Sequence, residues 1–348
     1  MTAPHERGTR TRRVRVGCCL SLSGRYARFG RQAAAALDVW RSWDGAADLL
    51  VEDDRGDRAE LRAALVRLAP ACDVLLGPYS TSLMRTAGDI AAGLDRLIWN
   101  HGGSGDDVQA AHPGYVVSVP APASRYAEPF VRRLAREREP GEPGRLWLAH
   151  GRGGFGRQVV AGAAATAGAA GIETVRIGPG DEPAAAGPPD GWHLFTAGSY
   201  EEDLRMVRRA RAAPRPPRTI CAVAAGVRAF GDAVEHPEGI YGVGQWFPGG
   251  GAQPVAVGPP EPDFMAAFAR RAGFLPDYPA AQAAAAAAVA AHCVRLAGGA
   301  ERDLLWAAAA ELETTTLFGA FRIDPESGVQ IGHRAALTRW TPGGLAAA

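Results

Sequence analysis

A twice-repeated alternation of short apolar runs with longer amphipathic ones, broken once at residues 120–122 (PAP), dictates what this chain can fold into. In the first stretch strands are predicted over 14–20, 49–52, 74–76, 97–100 and 115–119, with helices over 33–40, 59–68 and 83–94. In the second, strands are predicted over 146–149, 174–177, 192–195, 220–223 and 240–244, with helices over 124–135, 158–169 and 200–210. Asp57 with Glu60, and Ser199 with Glu202, have capping-box spacing at two of the helix starts. Apolar strands that alternate with helices imply parallel sheets covered on both faces, so the fold class is α/β with doubly wound lobes. After residues 246–250 (WFPGG) the chain turns helical over 264–272, 280–296 and 303–312, then closes with strands near 321–323 and 335–340.

A length of 348 residues exceeds what one core usually serves, so two lobes are expected. The 38 basic residues, all Arg, against 37 acidic ones leave a net charge of +1. That balance argues against nucleic acid as a partner. Residues 1–13 read as a disordered basic tail without the apolar segment of a signal peptide. The chain as written is therefore expected in the cytoplasm, and outside it if the start codon is misplaced or a signal has been removed. The longest apolar run, 280–294, is mostly Ala, is interrupted by Gln282 and His292, and is too short to span a bilayer, so no membrane insertion is expected. Five cysteines without CxxC spacing read as buried thiols, and eight scattered histidines without HxH or HxxxH predict no metal. No cofactor and no catalytic residue is predicted.

In such sheets ligands bind beyond the carboxyl ends of the strands. The loop 21–30 (SLSGRYARFG) pairs hydroxyls with Tyr26 and Phe29. The loop 77–82 (GPYSTS) sets Tyr79, Ser80, Thr81 and Ser82 at a helix start, where backbone N–H groups favour a carboxylate or carbonyl oxygen. The loop 100–105 (NHGGSG) brings His101, Gly102 and Ser104, although Thr81 and Ser104 read equally well as N-caps. A fourth loop, 151–156 (GRGGFG), matches the glycine fingerprint of dinucleotide-binding enzymes. The following strand ends at residues 176–179 (RIGP), without the acidic residue that should hold a ribose. Asp53 and Asp54 read as loop or helix-start support rather than as acid/base catalysts.

Residues 16–32 (VGCCLSLSGRYARFGRQ), 51–57 (VEDDRGD), 76–81 (LGPYST), 155–157 (FGR) and 318–324 (FGAFRID) together resemble the branched-chain amino-acid binding proteins of ABC transporters, which have the type I periplasmic-binding fold. The resemblance runs in order over residues 14–340. It implies three crossings of the chain between lobes, near Pro120, near 246–250 and near the closing strands. The lobes would then be 14–120 with about 250–318, and 121–249 with about 319–341. It also implies that Thr81, Gly102 and Ser104 hold a ligand carboxylate, that Phe29 and Phe155 cover the ligand, and that Gln245 and Trp246 reach it from the second lobe. Amino-acid binders of this family carry an acid in that late stretch to pair with the ligand ammonium. Here residues 242–248 read GVGQWFP, so a neutral amide or an aromatic acid is expected in place of a zwitterion. The expected role is solute capture for a transporter permease. Cytoplasmic amide-sensing regulators share the fold, and an enzyme using residues 151–156 is the remaining alternative.

Overall fold

β1 (Val14–Leu20) is buried at every residue but Arg15, which places it inside a sheet with helices on both sides. The computed structural model describes residues 13–137, 145–181, 191–250 and 254–348. The basic tail and the proline loops expected at 140–143 and 179–189 lie wholly or largely outside them. β1 joins β2 (Ala47–Asp53), β3 (Val74–Leu76), β4 (Ile98–Asn100) and β5 (Val116–Ser118) in a parallel sheet of order β2-β1-β3-β4-β5. Between these strands run α1 (Ala27–Asp44), α2 (Arg58–Leu68), α3 (Thr81–Gly93) and the single turn α4 (Asp106–Gln109). The two-residue period of the strands sorts their side chains. Val16, Cys18, Leu76, Trp99 and Val117 join one core cluster, while Cys19, Leu75, Ile98 and Val116 join the other with α2 and α3.

The second lobe contains α5 (Glu128–Glu137), β6 (Arg145–His150), α6 (Gly154–Ala169), β7 (Glu173–Ile177), β8 (Trp192–Ala197), α7 (Tyr200–Ala212), β9 (Thr219–Ala222), α8 (Ala229–Ala233) and β10 (Tyr241–Gly244). The chain then returns to the first lobe for α9 (Glu261–Ala272), α10 (Tyr278–Ala297) and α11 (Arg302–Glu311). A hairpin of β11 (Thr314–Thr316) and β12 (Gly319–Phe321) leads to β13 (Ala336–Thr341) and β14 (Gly344–Ala347). The second sheet has the order β14-β13-β10-β9-β8-β6-β7, with β13 and β14 antiparallel to their neighbours. β14 was not among the predicted strands because its residues are small and not β-branched. Pairing with β13, Trp340 against Leu345, overrides that weak propensity.

α10 also departs from expectation. It has 20 residues, long and apolar enough to cross a membrane, because Pro279 extends it by starting the first turn where its missing N–H is harmless. Its apolar window is 72% buried inside the fold, with Ala280, Ala281, Ala283 and Ala284 all inaccessible. A helix apolar all round is a core helix when protein covers it, and here α1 packs along its length.

Buried glutamines tie the three crossings together. Gln109 Nε2 donates to the Pro120 carbonyl (3.0 Å) and Gln330 Nε2 to that of Val119 (3.0 Å). Gln245 Oε1 accepts from Ala121 N–H (2.7 Å), and its Nε2 donates back to the Ala121 carbonyl (3.1 Å). His333 stacks on Phe318 with ring centroids 4.1 Å apart and donates Nε2–H to the Gln245 carbonyl (2.6 Å). Burial lowers its basicity to about 4 against the pull of that bond, so the imidazole is neutral with its proton on Nε2.

Just past the first crossing, α6 lies so close to residues 123–125 that a Cβ at Gly162 would overlap the Ser124 carbonyl oxygen. Gly162→Ala is expected to destabilise the chain by about 1–3 kcal/mol in urea unfolding. Gly168→Ala, on the same helix with open space around it, is expected to gain up to about 1 kcal/mol. Equal effects at the two positions would contradict this packing.

Candidate functional site

The segments that follow the strands of the two sheets meet between the lobes, Asp106 N–H of the first donating to Gln158 Oε1 of the second (2.8 Å), so the cleft is closed. The first wall is the segment after β1, which the Asp53-Asp54 pair clamps in place. Asp53 Oδ1 accepts from the backbone N–H of Leu22 (2.9 Å), Ser23 (3.3 Å) and Arg55 (2.9 Å), and Oδ2 accepts from the Ser23 hydroxyl (2.7 Å). Burial opposes its ionisation, but these bonds outweigh it and hold the carboxyl below its usual range. Asp54 Oδ1 accepts from Ser21 Oγ (2.6 Å) and Gly56 N–H (2.8 Å), and burial raises its pKa. The segment itself is more helical than expected. A 3-10 turn at Gly24–Tyr26 runs into α1 at Ala27, so Phe29 projects from the first turn of a helix. Phe155 likewise stands in the first turn of α6.

The loops after β3 and β4 continue the sheet. Tyr79 pairs with Gly102, and Ser80 N–H donates to the Gly102 carbonyl (3.2 Å). Ser80, at φ 97°, is the N-cap of α3, accepting from Leu83 N–H (3.3 Å). The N-cap reading of Thr81 and Ser104 is thereby corrected. Thr81 Oγ1 accepts from Gly105 N–H (3.2 Å), and Ser104 Oγ meets Tyr126 Oη (3.0 Å) and Gln245 Nε2 (3.1 Å). The N–H groups of Gly102 and Gly103 donate to Asn100 Oδ1 at 3.2 and 2.7 Å. Of the expected anion donors, the N–H groups of Thr81 and Ser82 at the start of α3 have no intrahelical acceptor and stand at the positive end of the helix dipole.

Aromatic rings line the cleft. Phe29 stacks on Tyr79 (4.5 Å, 18°), with Tyr26 beside it, and Phe155 meets Tyr126 edge-on (5.3 Å). Tyr79 and Tyr278 share a hydroxyl hydrogen bond of 3.0 Å, and burial raises both phenol pKa values, so both stay protonated. From the second lobe, Trp246 is buried in the first-lobe core cluster. Arg28 of α1 lies over the Tyr200 ring at 4.0 Å, reaching across between the lobes. A second bridge is ionic. Arg228 Nη1 donates to Asp277 Oδ1 (2.9 Å) and to the Pro276 carbonyl (2.6 Å), while its backbone N–H donates to the same carboxylate (3.2 Å). Gln32 Nε2 completes the shell of Asp277 at 3.2 Å.

Phe29, Tyr79, Ser80, Thr81, Gly102, Ser104 and Phe155 thus lie on the segments that meet between the lobes, whereas Trp246 joins the first-lobe core and His101 is fully buried. Gln245 does not offer its amide to the cleft. Nε2 and Oε1 are spent on Ala121 and Ser104 in the hinge. Sequence reasoning missed Tyr126, Tyr200, Arg228, Asp277 and Tyr278. For the last two a signal existed, because Asp277 before Tyr278 and Pro279 is a helix-start pattern.

In the loop 151–156 packing accounts for the first and last glycines. A Cβ at Gly151 would overlap the Glu202 carboxylate, and one at Gly156 the Ala197 carbonyl oxygen. Glu202 Oε1 accepts from Arg152 N–H (3.1 Å) while Oε2 accepts from Ser199 N–H (2.8 Å) in a complete capping box. A carboxylate already holds that loop, and it would repel a pyrophosphate. Among the described residues no three His, Cys, Asp or Glu side chains converge as a metal would need.

No protein-family model matches the sequence, and no curated protein matches it. Solved structures match closely in shape. The leucine-binding protein of Thermotoga maritima superposes with a TM-score of 0.80 at 16% identity, over 96% of this chain and 97% of its own. A solute-binding protein of an ABC transporter from Rhodopseudomonas palustris, in complex with benzoate, gives 0.76 at 18% identity over 96% and 95%. The branched-chain amino-acid transporter substrate-binding protein of Streptococcus pneumoniae, in complex with isoleucine, gives 0.76 at 13% over 97% and 98%. At such identities and near-complete coverage the likeness is one of fold, and this chain has the two-lobed type I periplasmic-binding fold of these neighbours.

Proposed function

We propose that this chain is the solute-binding component of an ABC importer and that it captures a small aromatic or amide-bearing carboxylate between its lobes. The charge balance of the cleft carries this reading. The start of α3 offers donors to an anion, whereas the buried acid at the cleft, Asp277, already has Arg228 and Gln32 as partners. A ligand ammonium would find Asp277 already paired, and burying it without a partner costs several kcal/mol. The Tyr26, Phe29 and Tyr79 rings, with Tyr126 and Phe155 opposite, suit a flat ligand by stacking. The benzoate-bound neighbour holds such an acid, and the isoleucine-bound one is the contrasting case. Import would require the mature chain to work outside the cytoplasmic membrane, with a permease as its partner.

Calorimetry against benzoate, 4-hydroxybenzoate, short amides, leucine and isoleucine tests the reading. Aromatic acids are expected to bind at least about tenfold tighter than leucine, a difference of about 1.4 kcal/mol. Submicromolar leucine binding, with the aromatic acids inert, overturns it.

A further inference from the structure

Behind the Tyr79–Tyr278 pair lies a polar corner that the hinge and the carboxylate donors do not use. His101 follows β4 directly, next to the Gly102 that pairs with Tyr79, and it is 0% exposed. Gln282 stands one helical turn beyond Tyr278 on the same face of α10 and is 1% exposed. Gln282 Nε2 donates to the backbone carbonyl of His101, which holds the Gln282 amide against that residue. Yet Nδ1 and Nε2 of His101 and Oε1 of Gln282 have no hydrogen-bond partner among the described residues. The Gly77 carbonyl lies toward the imidazole and favours its N–H, short of full hydrogen-bond geometry. Leaving a buried polar group unpaired costs about 1–3 kcal/mol, and such clusters persist where something else satisfies them.

We infer that His101 and Gln282 form an inner subsite that receives an uncharged hydroxyl or carboxamide at the far end of the ligand, reached when the Tyr79–Tyr278 hydrogen bond parts. The chemistry of the pair selects the group. Burial holds the imidazole neutral, with a pKa of about 4, so it offers one donor and one acceptor, and Gln282 Oε1 adds a second acceptor. A hydroxyl or primary amide can donate and accept there at once. A second carboxylate would face two acceptors, and an ammonium would find no counter-charge. The ligand is thereby narrowed to an acid at one end and a neutral hydrogen-bonding group at the other. This rests on the carboxylate reading of the cleft.

Benzoate and 4-hydroxybenzoate differ by that one group, and calorimetry on the full chain compares them. The wild-type chain is expected to prefer 4-hydroxybenzoate by about tenfold or more. In His101→Leu and in Gln282→Leu the ratio is expected to fall to within about twofold of one, while thermal unfolding shows both variants folded and at least as stable, since each removes orphaned polar atoms. Binding of both acids with equal affinity by the wild type overturns the subsite alone. So does a preference that survives in both variants, or in whichever one folds. Binding of neither acid overturns the reading of the cleft, and the subsite with it.

Discussion

Replacing Arg228 by alanine is expected to open the cleft without unfolding either lobe, and to weaken ligand binding by about ten- to a hundredfold. The guanidinium belongs to the second lobe and Asp277 to the start of α10 in the first, so their bond exists only when the lobes are closed. Removing one partner of a buried pair typically costs about 3–5 kcal/mol, because it strands the other charge. Two features reduce that figure here. The Arg228 side chain is 30% exposed, so solvent screens part of the attraction, and its backbone N–H stays on the carboxylate. More important, the chain has an escape that a single core lacks. Opening the lobes returns Asp277 to water at the cost of the closed state only. The loss therefore falls on the equilibrium between open and closed forms, and affinity drops by the fraction of closed form lost. Small-angle scattering without ligand is expected to give a larger radius of gyration for Arg228→Ala, with little change in the unfolding temperature. An unchanged radius together with a large fall in unfolding temperature would make the pair a structural bond and not a latch.

Much of the lobe architecture is legible in the chain because parallel strands buried on both faces leave continuous apolar runs. β1 and β3 follow their predicted bounds to the residue, and the Ser199–Glu202 capping box forms as its spacing implies. What is not legible depends on contacts between segments far apart in sequence. Gln245 looks like a ligand residue from its place after β10, and only the path of the first crossing shows that Ala121 takes its amide. Arg228 and Asp277 are 49 positions apart and lie in different lobes, so no local pattern joins them. Gly151 and Gly156 mimic a phosphate loop because close packing and anion binding both demand a missing Cβ, while Gly153 has open space around it. The Glu202 carboxylate distinguishes the two, and its position is a tertiary fact.

Asp203→Asn is expected to stabilise the chain strongly at pH 8 and hardly at all near pH 4. Asp203 is 1% exposed in the first turns of α7, where it accepts from the Thr196 hydroxyl (2.9 Å) and from Ala224 N–H (3.0 Å). Burial pushes its carboxyl up to about 7, against the pull of those bonds. A carboxyl whose pKa is higher in the folded chain than in the unfolded one holds its proton longer when folded. Its contribution is therefore fully present below the unfolded value of 3.8 and is lost as pH rises through about 7. The total amounts to roughly 4 kcal/mol, from about three pKa units at 1.36 kcal/mol each. Asparagine keeps the shape and never ionises. Its Oδ1 accepts from Ala224 N–H, and its Nδ2 donates to the Thr196 oxygen. His101 and His333, with basicity lowered to about 4, act in the opposite sense, favouring the folded chain as pH rises from 4 toward 6.5. They are common to both proteins and cancel in the difference. Urea unfolding of both proteins from pH 4 to pH 8 gives the difference curve. A gap that widens with pH through 7 is the expected result, and a constant gap, or one that shrinks, would show that Asp203 stays ionised in the folded chain.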